Sequence, residues 1–361
     1  MIKVFECYAG YGGGSFALKK AGIDFECVGF SEIHKGQIKI YEQNHKNIKN
    51  YGDITKIDIN DLPDFDFITG GFPCQDVSIA GLRDLSKGRT NTVFKMLDII
   101  KQKKPKYCLL ENVEGILSML NGELFAEIIR KLKSYGYVVS YKLLKSKDHG
   151  TPQNRPRVWI ACEKNKHPFG FNPFPIKQEL KLFVSDLLEK EVDEKYYLTQ
   201  KQIARVIERS KIRNKPLGLR VNPKYSTTLT TRNPKHSPAD SIFIESNIAN
   251  TLLTGDYSKA NYSNQFLIHS KQPRTCDPKK GGTGPLSRDD NISYIIDSGN
   301  SQFIEHKTEM RCLTPKECFR LMGFFNDEIN IDGIVKTNAY YSAGNGWDVN
   351  LVSQILKGWI K

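Results

Sequence analysis

Three segments of the sequence place reactive or charged side chains directly beside short apolar runs. Cys74 follows the Gly-Gly-Phe-Pro corner of DFDFITGGFPC, and Glu111 ends the apolar run of KYCLLENV. Arg155 and Arg157 lie in TPQNRPRVW, where another apolar run begins. A thiol can act as a nucleophile, a carboxyl group can hold a proton, and a guanidinium can hold oxygen atoms. Each side chain alone is more often structural, because free cysteines usually pack, glutamates after strands cap helices, and paired arginines face solvent.

The first 165 residues alternate strand-like runs with helical patterns. Runs such as IKVFECY, DFECVGF, DFDFITG, KYCLLENV and RVWIACE predict buried strands, with helical segments between them. This alternation predicts an α/β fold with a mostly parallel sheet that is covered on both faces. The carboxyl ends of parallel strands meet at one edge of such a sheet, where ligands bind. Cys74, Glu111 and the two arginines are therefore predicted to lie close together.

A glycine-rich turn, AGYGGG, follows the first predicted strand and opens a helix. Its glycines would let the backbone approach a ligand closely at the helix N-terminus. Glu32, 22 residues after Gly10, ends the second predicted strand, and Asp53 ends a third one in YGDIT. Carboxylates at such strand ends commonly bind ribose hydroxyls, although a tight turn without a ligand is the simpler alternative. Ser15 stands where the dinucleotide pattern has a third glycine, which disfavours NAD and leaves S-adenosylmethionine open.

Composition narrows the class of protein. The formal net charge of +13 favours a polyanionic partner, nucleic acid first. The eight cysteines contain no C-x-x-C pair, which disfavours a structural zinc and fits a reducing compartment. The N-terminus predicts a strand rather than a signal peptide, and no apolar run approaches the roughly 20 residues of a membrane span. We therefore expect a cytoplasmic protein, in a bacterial cytosol or nucleoid, with no membrane partner and no metal.

The segments GGFPCQDVSIAG, LLENV, QNRPR, LTPKECFRLMGF and AGNGWDVN, in this order, resemble those of the DNA cytosine-5 methyltransferases of the bacterial and phage modification type. The resemblance implies a Rossmann-like S-adenosylmethionine-dependent methyltransferase fold with a smaller, β-rich target-recognition domain. It implies a catalytic and cofactor-binding domain over residues 1–185 and 338–361. The target-recognition domain would span 186–337 and include a helix over 313–324.

The chemistry of that family explains why these residue types are needed. A thiolate that adds to C6 of cytosine makes C5 enamine-like, so that C5 can take a methyl group from a sulfonium. Loss of the C5 proton and expulsion of the thiolate then restore the ring. By resemblance Cys74 is the nucleophile, Glu111 contacts N3, and Arg157 with Arg155 forms the O2 and phosphate side of the pocket. A base inside a duplex cannot be reached, so the target must be flipped out.

The resemblance also assigns ligand contacts. Cofactor contacts are expected from the turn, the strand ends and a C-terminal segment: Tyr8, Ala9, Gly10, Gly12, Gly13, Glu32, Ile33, Asp53, Ile54, Gly71, Pro73 and Asn345. DNA contacts are expected from Gln75, Ser78, Arg83, Arg89, Gln153, Thr228 and Thr251. Either Thr228 or Thr251, each followed by leucine, could mark the target-recognition element.

The chain departs from the family pattern at a few positions near the cofactor. Tyr8 stands where Phe is usual, Glu6 where Asp is usual, and Ile33 where an aromatic residue is frequent. Gly346 and Trp347 replace the usual Ser-Val after the Gly-Asn pair. These differences concern cofactor affinity and leave the thiol and the carboxyl group of the predicted site unchanged.

The expected partners are duplex DNA and S-adenosylmethionine. We expect a monomer, and a cognate restriction endonuclease could act on the same DNA site without binding the enzyme. Three alternatives stay open: the tRNA-methylating branch of the same fold, a catalytically silent DNA-binding regulator, and an NAD oxidoreductase. The recognition sequence cannot be predicted.

Overall fold

The chain divides into two compact units. The computed structural model describes residues 1–73, 91–164, 171–199 and 311–360, and between them the backbone of short strands from 224 to 310. The first unit comprises Met1–Lys145, Pro156–Ile176 and Val349–Lys361, and the second comprises Ser146–Arg155 and Lys177–Asp348. Residues 146–155, 177–185 and 338–348 thus belong to the second unit, although we predicted them in the catalytic domain. The functional division of the chain stays a prediction.

A six-stranded sheet forms the centre of the first unit. The first seven strands of the chain are β1 (Ile2–Cys7), β2 (Phe25–Ser31), β3 (Phe67–Gly71), β4 (Tyr107–Val113), β5 (Tyr137–Lys145), β6 (Gln153–Asn154) and β7 (Pro156–Lys164). The sheet has the order β2-β1-β3-β4-β7-β5, without β6. β1, β2, β3 and β4 pair in parallel, whereas β7 runs antiparallel to β4 and β5. The predicted mostly parallel α/β sheet is confirmed.

Seven α-helices occur in the described residues, and they are distributed over both units. They are α1 (Gly13–Ala21), α2 (Lys35–Asn44), α3 (Asn91–Lys103), α4 (Glu123–Ser134), α5 (Pro315–Arg320), α6 (Lys336–Asn345) and α7 (Val349–Trp359). The C-terminal helix α7 packs against α1 in the first unit. Trp359 at its end packs edge-on against Tyr107, with ring centroids 5.4 Å apart, and donates a hydrogen bond to Glu163. The C-terminal helix therefore packs against the sheet at β4 and β7.

The carboxyl ends of four strands lie in register at one edge of this sheet. Ser31, Cys7, Gly70 and Leu110 face one another across β2, β1, β3 and β4. Because β2 and β3 flank β1 on opposite sides, the strand order reverses there, which is where α/β sheets bind ligands. A Cβ on Gly70 would lie 2.8 Å from the Met96 sulfur, so a larger residue there would require the Met96 side chain to move.

One local prediction is wrong, and one strand was not predicted. Asp53 does not end a strand: residues near it form only a single bridge, between Asn50 and Phe30. Gly52 interrupts any longer pairing with a left-handed φ of +71°, and Asp53 instead caps a 3-10 turn over Ile54–Lys56. The unpredicted strand is β5, an edge strand of the sheet whose Tyr141 is 53% exposed.

The second unit contains the remaining strands, β8 (Lys224–Leu229), β9 (Ser241–Glu245), β10 (Phe266–Ser270), β11 (Ser287–Arg288), β12 (Asn291–Ile296), β13 (Gln302–His306) and β14 (Glu309–Cys312). Five of them form a sheet of order β11-β10-β9-β13-β14, while β6, β8 and β12 pair with one another in parallel. None of the helices in the described part of the chain has the length and apolar character that a membrane crossing requires.

The helix predicted over 313–324 is present but shorter. α5 begins at Pro315 because Thr314 caps it, and the Glu317 carboxylate accepts a hydrogen bond from the Thr314 N–H in return. It ends at Arg320, and Gly323 has a left-handed φ of +90°, which a continuing helix cannot accommodate. Arg311 is buried beside this helix and forms two hydrogen bonds to Glu317, of 2.8 and 2.9 Å.

Candidate active site

Glu111 and Arg157 form a buried ion pair at the carboxyl end of β4. The Arg157 Nε lies 2.8 Å from the Glu111 Oε1, and the two residues are 9% and 8% exposed. The pairing of β4 with β7 explains the contact: Arg157 faces Val113, and Glu111, two residues before Val113, points to the same face of the sheet. Arg157 also donates a 2.8 Å hydrogen bond to the Pro156 carbonyl.

The electrostatics of this pair follow from its burial. Burial lowers the pKa of Arg157 from its ordinary value, and the adjacent Glu111 carboxylate opposes that shift. A guanidinium starts from so high a pKa that it stays charged. A carboxylate taken out of water is costly unless a cation compensates it, and Arg157 supplies that cation. The pair thus fixes a carboxyl group, in a defined orientation, at the edge of the sheet.

Asn112 connects this carboxyl group to the segment that leads into Cys74. Its side-chain Nδ2 donates a 2.9 Å hydrogen bond to the carbonyl of Phe72, and its Oδ1 accepts one from the Val113 N–H. Asn112 is buried, and its neighbour Glu111 lies in register with Gly71. The ends of β3 and β4 are therefore held together two residues before Cys74.

The predicted nucleophile and its neighbours in sequence lie outside the described residues, namely Cys74, Gln75, Ser78, Arg83 and Arg89. Gly71 is partly buried and Pro73 exposed at the last described positions before them. Thr228 lies on β8, whose backbone is described, and Thr251 lies outside the described residues.

The glycine-rich turn folds over the ends of β1 and β2. Ala9 donates a hydrogen bond to the Ser31 carbonyl, and the N–H of Gly10 donates one of 3.0 Å to the Glu32 Oε2. Gly12 has a left-handed φ of +89°, and a Cβ there would lie 2.3 Å from the His45 imidazole. Glycine is therefore required at position 12 for both conformation and space. α1, including Gly13, starts directly after it.

Two carboxylates accompany this turn. The Glu32 Oε1 accepts 2.8 Å hydrogen bonds from the N–H groups of Ile33 and His34, which orients its side chain. Asp53 is 36% exposed at its side chain, and its Oδ1 accepts hydrogen bonds from the Thr55 N–H and hydroxyl. The hydrogen bond from the Thr55 hydroxyl lowers the pKa of Asp53, so its carboxylate is charged at neutral pH. Ile54, buried behind it, begins the 3-10 turn.

Glu6 and Ser15, two unusual residues of the sequence, interact with each other. The Glu6 carboxylate is buried and accepts hydrogen bonds from the Ser15 N–H and hydroxyl, of 2.9 and 2.8 Å. It accepts a third, of 2.7 Å, from the Tyr41 hydroxyl. Ser15 stands in place of the third glycine of the dinucleotide pattern, and Glu6 stands where the family usually has the shorter aspartate. The hydrogen bonds between these two residues anchor α1 to β1.

Arg155 and Gln153 make their contacts within the second unit. Arg155 is 3% exposed and donates hydrogen bonds to the carbonyls of Gly344 and Gly346, of 3.1 and 2.7 Å. These carbonyls flank Asn345, which is exposed at the end of α6. Gln153 is fully buried, and its side-chain Nε2 donates a 2.9 Å hydrogen bond to the Leu321 carbonyl. The catalytic role predicted for Arg155 and the DNA contact predicted for Gln153 stay predictions.

Sequence reasoning missed contacts made by side-chain amides. Asn112 lies in the LLENV segment that carries Glu111, and Asn50 precedes YGDIT, but neither was predicted to have a role.

The Tyr8 hydroxyl, absent from the phenylalanine usual at this position, donates a 2.7 Å hydrogen bond to the Thr92 carbonyl in α3. Tyr8 has a left-handed φ of +51°. Among the described residues, no cluster of three or more His, Cys, Asp or Glu could hold a metal ion.

Comparison with known proteins gives concordant matches. The family model of the C-5 cytosine-specific DNA methylases matches residues 2–361. The type II methyltransferase M.Bsp6I of Bacillus sp. (strain RFL6) is 28% identical over 100% of this chain and 99% of its own. The orphan methyltransferase M.SPRI of Bacillus phage SPR is 28% identical over 99% of this chain and 97% of its own. The type II methyltransferase M2.ScrFI of Lactococcus lactis subsp. cremoris is 34% identical over 56% of this chain and 72% of its own.

Solved structures share the fold. Those of S. pombe Dnmt2 methyltransferase and of Entamoeba histolytica methyltransferase EhMeth each give a TM-score of 0.63 at 19% identity, covering 99% of this chain and 97% of theirs. The predicted methyltransferase fold is thereby confirmed, and so is the family that the motifs indicated. The chain belongs to the C-5 cytosine-specific DNA methylase family and is a DNA (cytosine-5-)-methyltransferase.

Proposed function

We propose that this enzyme methylates C5 of a flipped-out cytosine in a specific duplex DNA site, through a covalent bond between Cys74 and C6. The observation that carries the proposal is the buried pair of Glu111 and Arg157, next to the backbone that leads into Cys74. A cysteine suits the task because it is a strong nucleophile and also a competent leaving group.

Glu111 is the residue that we propose for N3 of the cytosine. Addition of the Cys74 thiolate to C6 moves electron density onto N3 and O2, and a protonated carboxyl group that donates its hydrogen to N3 stabilises that charge. Arg157 holds the Glu111 carboxyl group in place. We propose that Arg157 also contacts the O2 side of the base. Asn112 positions the reacting groups relative to one another, because it bonds the backbone before Cys74 to the strand that carries Glu111.

The residues of the turn suit S-adenosylmethionine better than a dinucleotide. Glu32 and Asp53 offer carboxylate oxygens, which accept hydrogen bonds from ribose hydroxyls and an adenine amino group. Ser15, which stands where the dinucleotide pattern has a third glycine, disfavours NAD. When bound, S-adenosylmethionine supplies an electrophilic methyl group. We propose that the predicted cofactor residues hold it: Tyr8, Ala9, Gly10, Gly12, Gly13, Glu32, Ile33, Asp53, Ile54, Gly71, Pro73 and Asn345.

For Arg155 we propose a positioning role, which is more specific than the catalytic role predicted from the sequence. Its guanidinium donates to the carbonyls on both sides of Asn345, so we propose that it positions this asparagine for the methionine end of the cofactor. Asn345 itself is exposed, so its side chain is accessible to a ligand.

The DNA contacts and the biological setting are part of the proposal. Gln75, Ser78, Arg83, Arg89 and Gln153 are proposed to contact DNA, together with Thr228 or Thr251. The relatives named above include both type II and orphan methyltransferases, so a role beside a restriction endonuclease and a solitary role both fit. We propose a monomeric enzyme that needs no metal, since methyl transfer from a sulfonium requires none.

Radiolabelled methyl transfer, offered in parallel to duplex DNA and to bulk tRNA, tests this proposal. We expect label in DNA only, as 5-methylcytosine, and bisulfite sequencing of the host DNA then gives the target site. Label in tRNA alone would favour the tRNA-methylating branch. DNA binding without any transfer would favour a catalytically silent regulator.

A further inference from the structure

The segment before Asp53 lies along the end of β2. The N–H of Phe30 donates a 3.0 Å hydrogen bond to the Lys49 carbonyl, and the N–H of Tyr51 donates one of 2.7 Å to the Phe30 carbonyl. The Ser31 hydroxyl donates a further bond, of 2.6 Å, to the Gly52 carbonyl. These contacts attach the segment to the sheet independently of the side chain of Asn50.

The side chain of Asn50 adds a second set of hydrogen bonds. They are made to the backbone of Glu32 and to the backbone of Gly52, the residue before Asp53. Its Oδ1 accepts hydrogen bonds from the N–H of Glu32, at 3.2 Å, and the N–H of Gly52, at 2.9 Å. Its Nδ2 donates a 3.1 Å hydrogen bond to the Glu32 carbonyl. One amide therefore joins the backbone of Glu32 to the backbone immediately before Asp53.

We propose that Asn50 is a positioning residue for the adenosine part of the cofactor, because it sets the spacing between the Glu32 and Asp53 carboxylates. This inference rests on the proposed function of those two acids. Each carboxylate is oriented locally, Glu32 by the N–H groups of Gly10, Ile33 and His34, and Asp53 by Thr55. The Asn50 amide does not orient either carboxylate directly. It fixes the backbone at Glu32 relative to the backbone just before Asp53.

The chemistry of the position selects asparagine. The site needs a side chain with an acceptor for two N–H groups and a donor for one carbonyl, which an amide provides. Aspartate would keep the acceptor but could not donate to the Glu32 carbonyl, and it would add a negative charge beside Glu32. Alanine would remove all three bonds while the backbone contacts of Phe30 and Tyr51 remain.

The test compares Asn50→Ala and Asn50→Asp with wild type in the full-length enzyme. Calorimetry measures binding of S-adenosylhomocysteine and of 5′-methylthioadenosine, which keeps the adenosine but lacks the amino acid. We expect both variants to bind both ligands about tenfold more weakly, which corresponds to the loss of about one net hydrogen bond. The kcat at saturating cofactor should stay within about twofold, because the reacting groups are not moved.

Asn44→Ala is the matched control. The Asn44 side chain donates a 2.8 Å hydrogen bond to the Ile40 carbonyl in α2, in the same unit, and its loss should leave both affinities unchanged. In a Glu32→Gln background, Asn50→Ala should weaken binding by less than about threefold, because residues that act together are not additive.

Three results would overturn the inference: wild-type affinity in both Asn50 variants, an equal loss in Asn44→Ala, or an effect of Asn50→Ala on S-adenosylhomocysteine but not on 5′-methylthioadenosine. Should Asn50→Ala not fold, Asn50→Asp alone decides, since it keeps the acceptor bonds. Wild-type protein that binds neither ligand would instead refute the proposed cofactor site itself.

Discussion

Replacing Arg157 by methionine should destabilise the enzyme strongly, because it leaves the Glu111 carboxylate buried without its cation. At the observed 2.8 Å separation, the attraction is about 6 kcal/mol at an effective dielectric constant of about 20. Part of this offsets the cost of burying the two charges, so the expected loss in the free energy of unfolding is about 3–5 kcal/mol. Urea unfolding measures it by linear extrapolation.

The double variant Glu111→Leu/Arg157→Met separates stability from catalysis. An apolar pair of similar volume should recover most of the stability that Arg157→Met loses, because no charge is then buried unpaired. It should nevertheless transfer no methyl group, since the proposed N3 partner is gone.

Arg130→Met is the control for the loss of stability in Arg157→Met. Arg130 pairs with Glu127 on the surface of α4, where its side chain is 70% exposed, so its loss should cost less than about 1 kcal/mol. The reasoning would be refuted if Arg157→Met were as stable as Arg130→Met, or if the double variant kept wild-type methyl transfer.

Two further predictions concern single residues. Asn112→Asp keeps the bond from the Val113 N–H but cannot donate to the Phe72 carbonyl, so single-turnover methyl transfer should slow by about a hundredfold while the KM for S-adenosylmethionine stays unchanged; an unchanged rate would exclude this positioning role. Burial lowers the pKa of His45 below its ordinary 6.5, so below that pH the unfolded chain binds a proton that the folded one does not. Wild type should therefore lose stability relative to His45→Gln as the pH falls from about 7.5 to 5.5, and parallel stability curves in urea unfolding would contradict this.

The sheet was predictable because its signals are local. Apolar runs such as KYCLLENV mark buried strands, and a parallel sheet brings their carboxyl ends to one edge, so Glu111 and the approach to Cys74 could be placed together. Arg155 and Arg157, two residues apart, were predicted to share a pocket. Arg157 pairs with Glu111 in the first unit, and Arg155 donates to the carbonyls of Gly344 and Gly346 in the second, so the shared pocket stays a prediction.

The missed features depend on partners that are distant in sequence. Asn112 bonds to a carbonyl 40 residues away, and Arg155 to carbonyls 189 and 191 residues away, so no periodicity reveals them. Asp53 in YGDIT was predicted to end a strand, but Gly52 bends the chain after a single bridge at Asn50. Hydrogen bonds from side-chain amides to the backbone leave no spacing pattern to detect.

Methyl transfer by Cys74→Ser tests the central proposal most directly. The variant is incubated with labelled S-adenosylmethionine and duplex DNA beside the wild-type enzyme, and DNA binding is measured on the same samples. The proposed mechanism predicts wild-type DNA binding with almost no transfer, because a serine hydroxyl is too weak a nucleophile to add to C6. Methylation of cytosine at a rate near that of the wild type would contradict it.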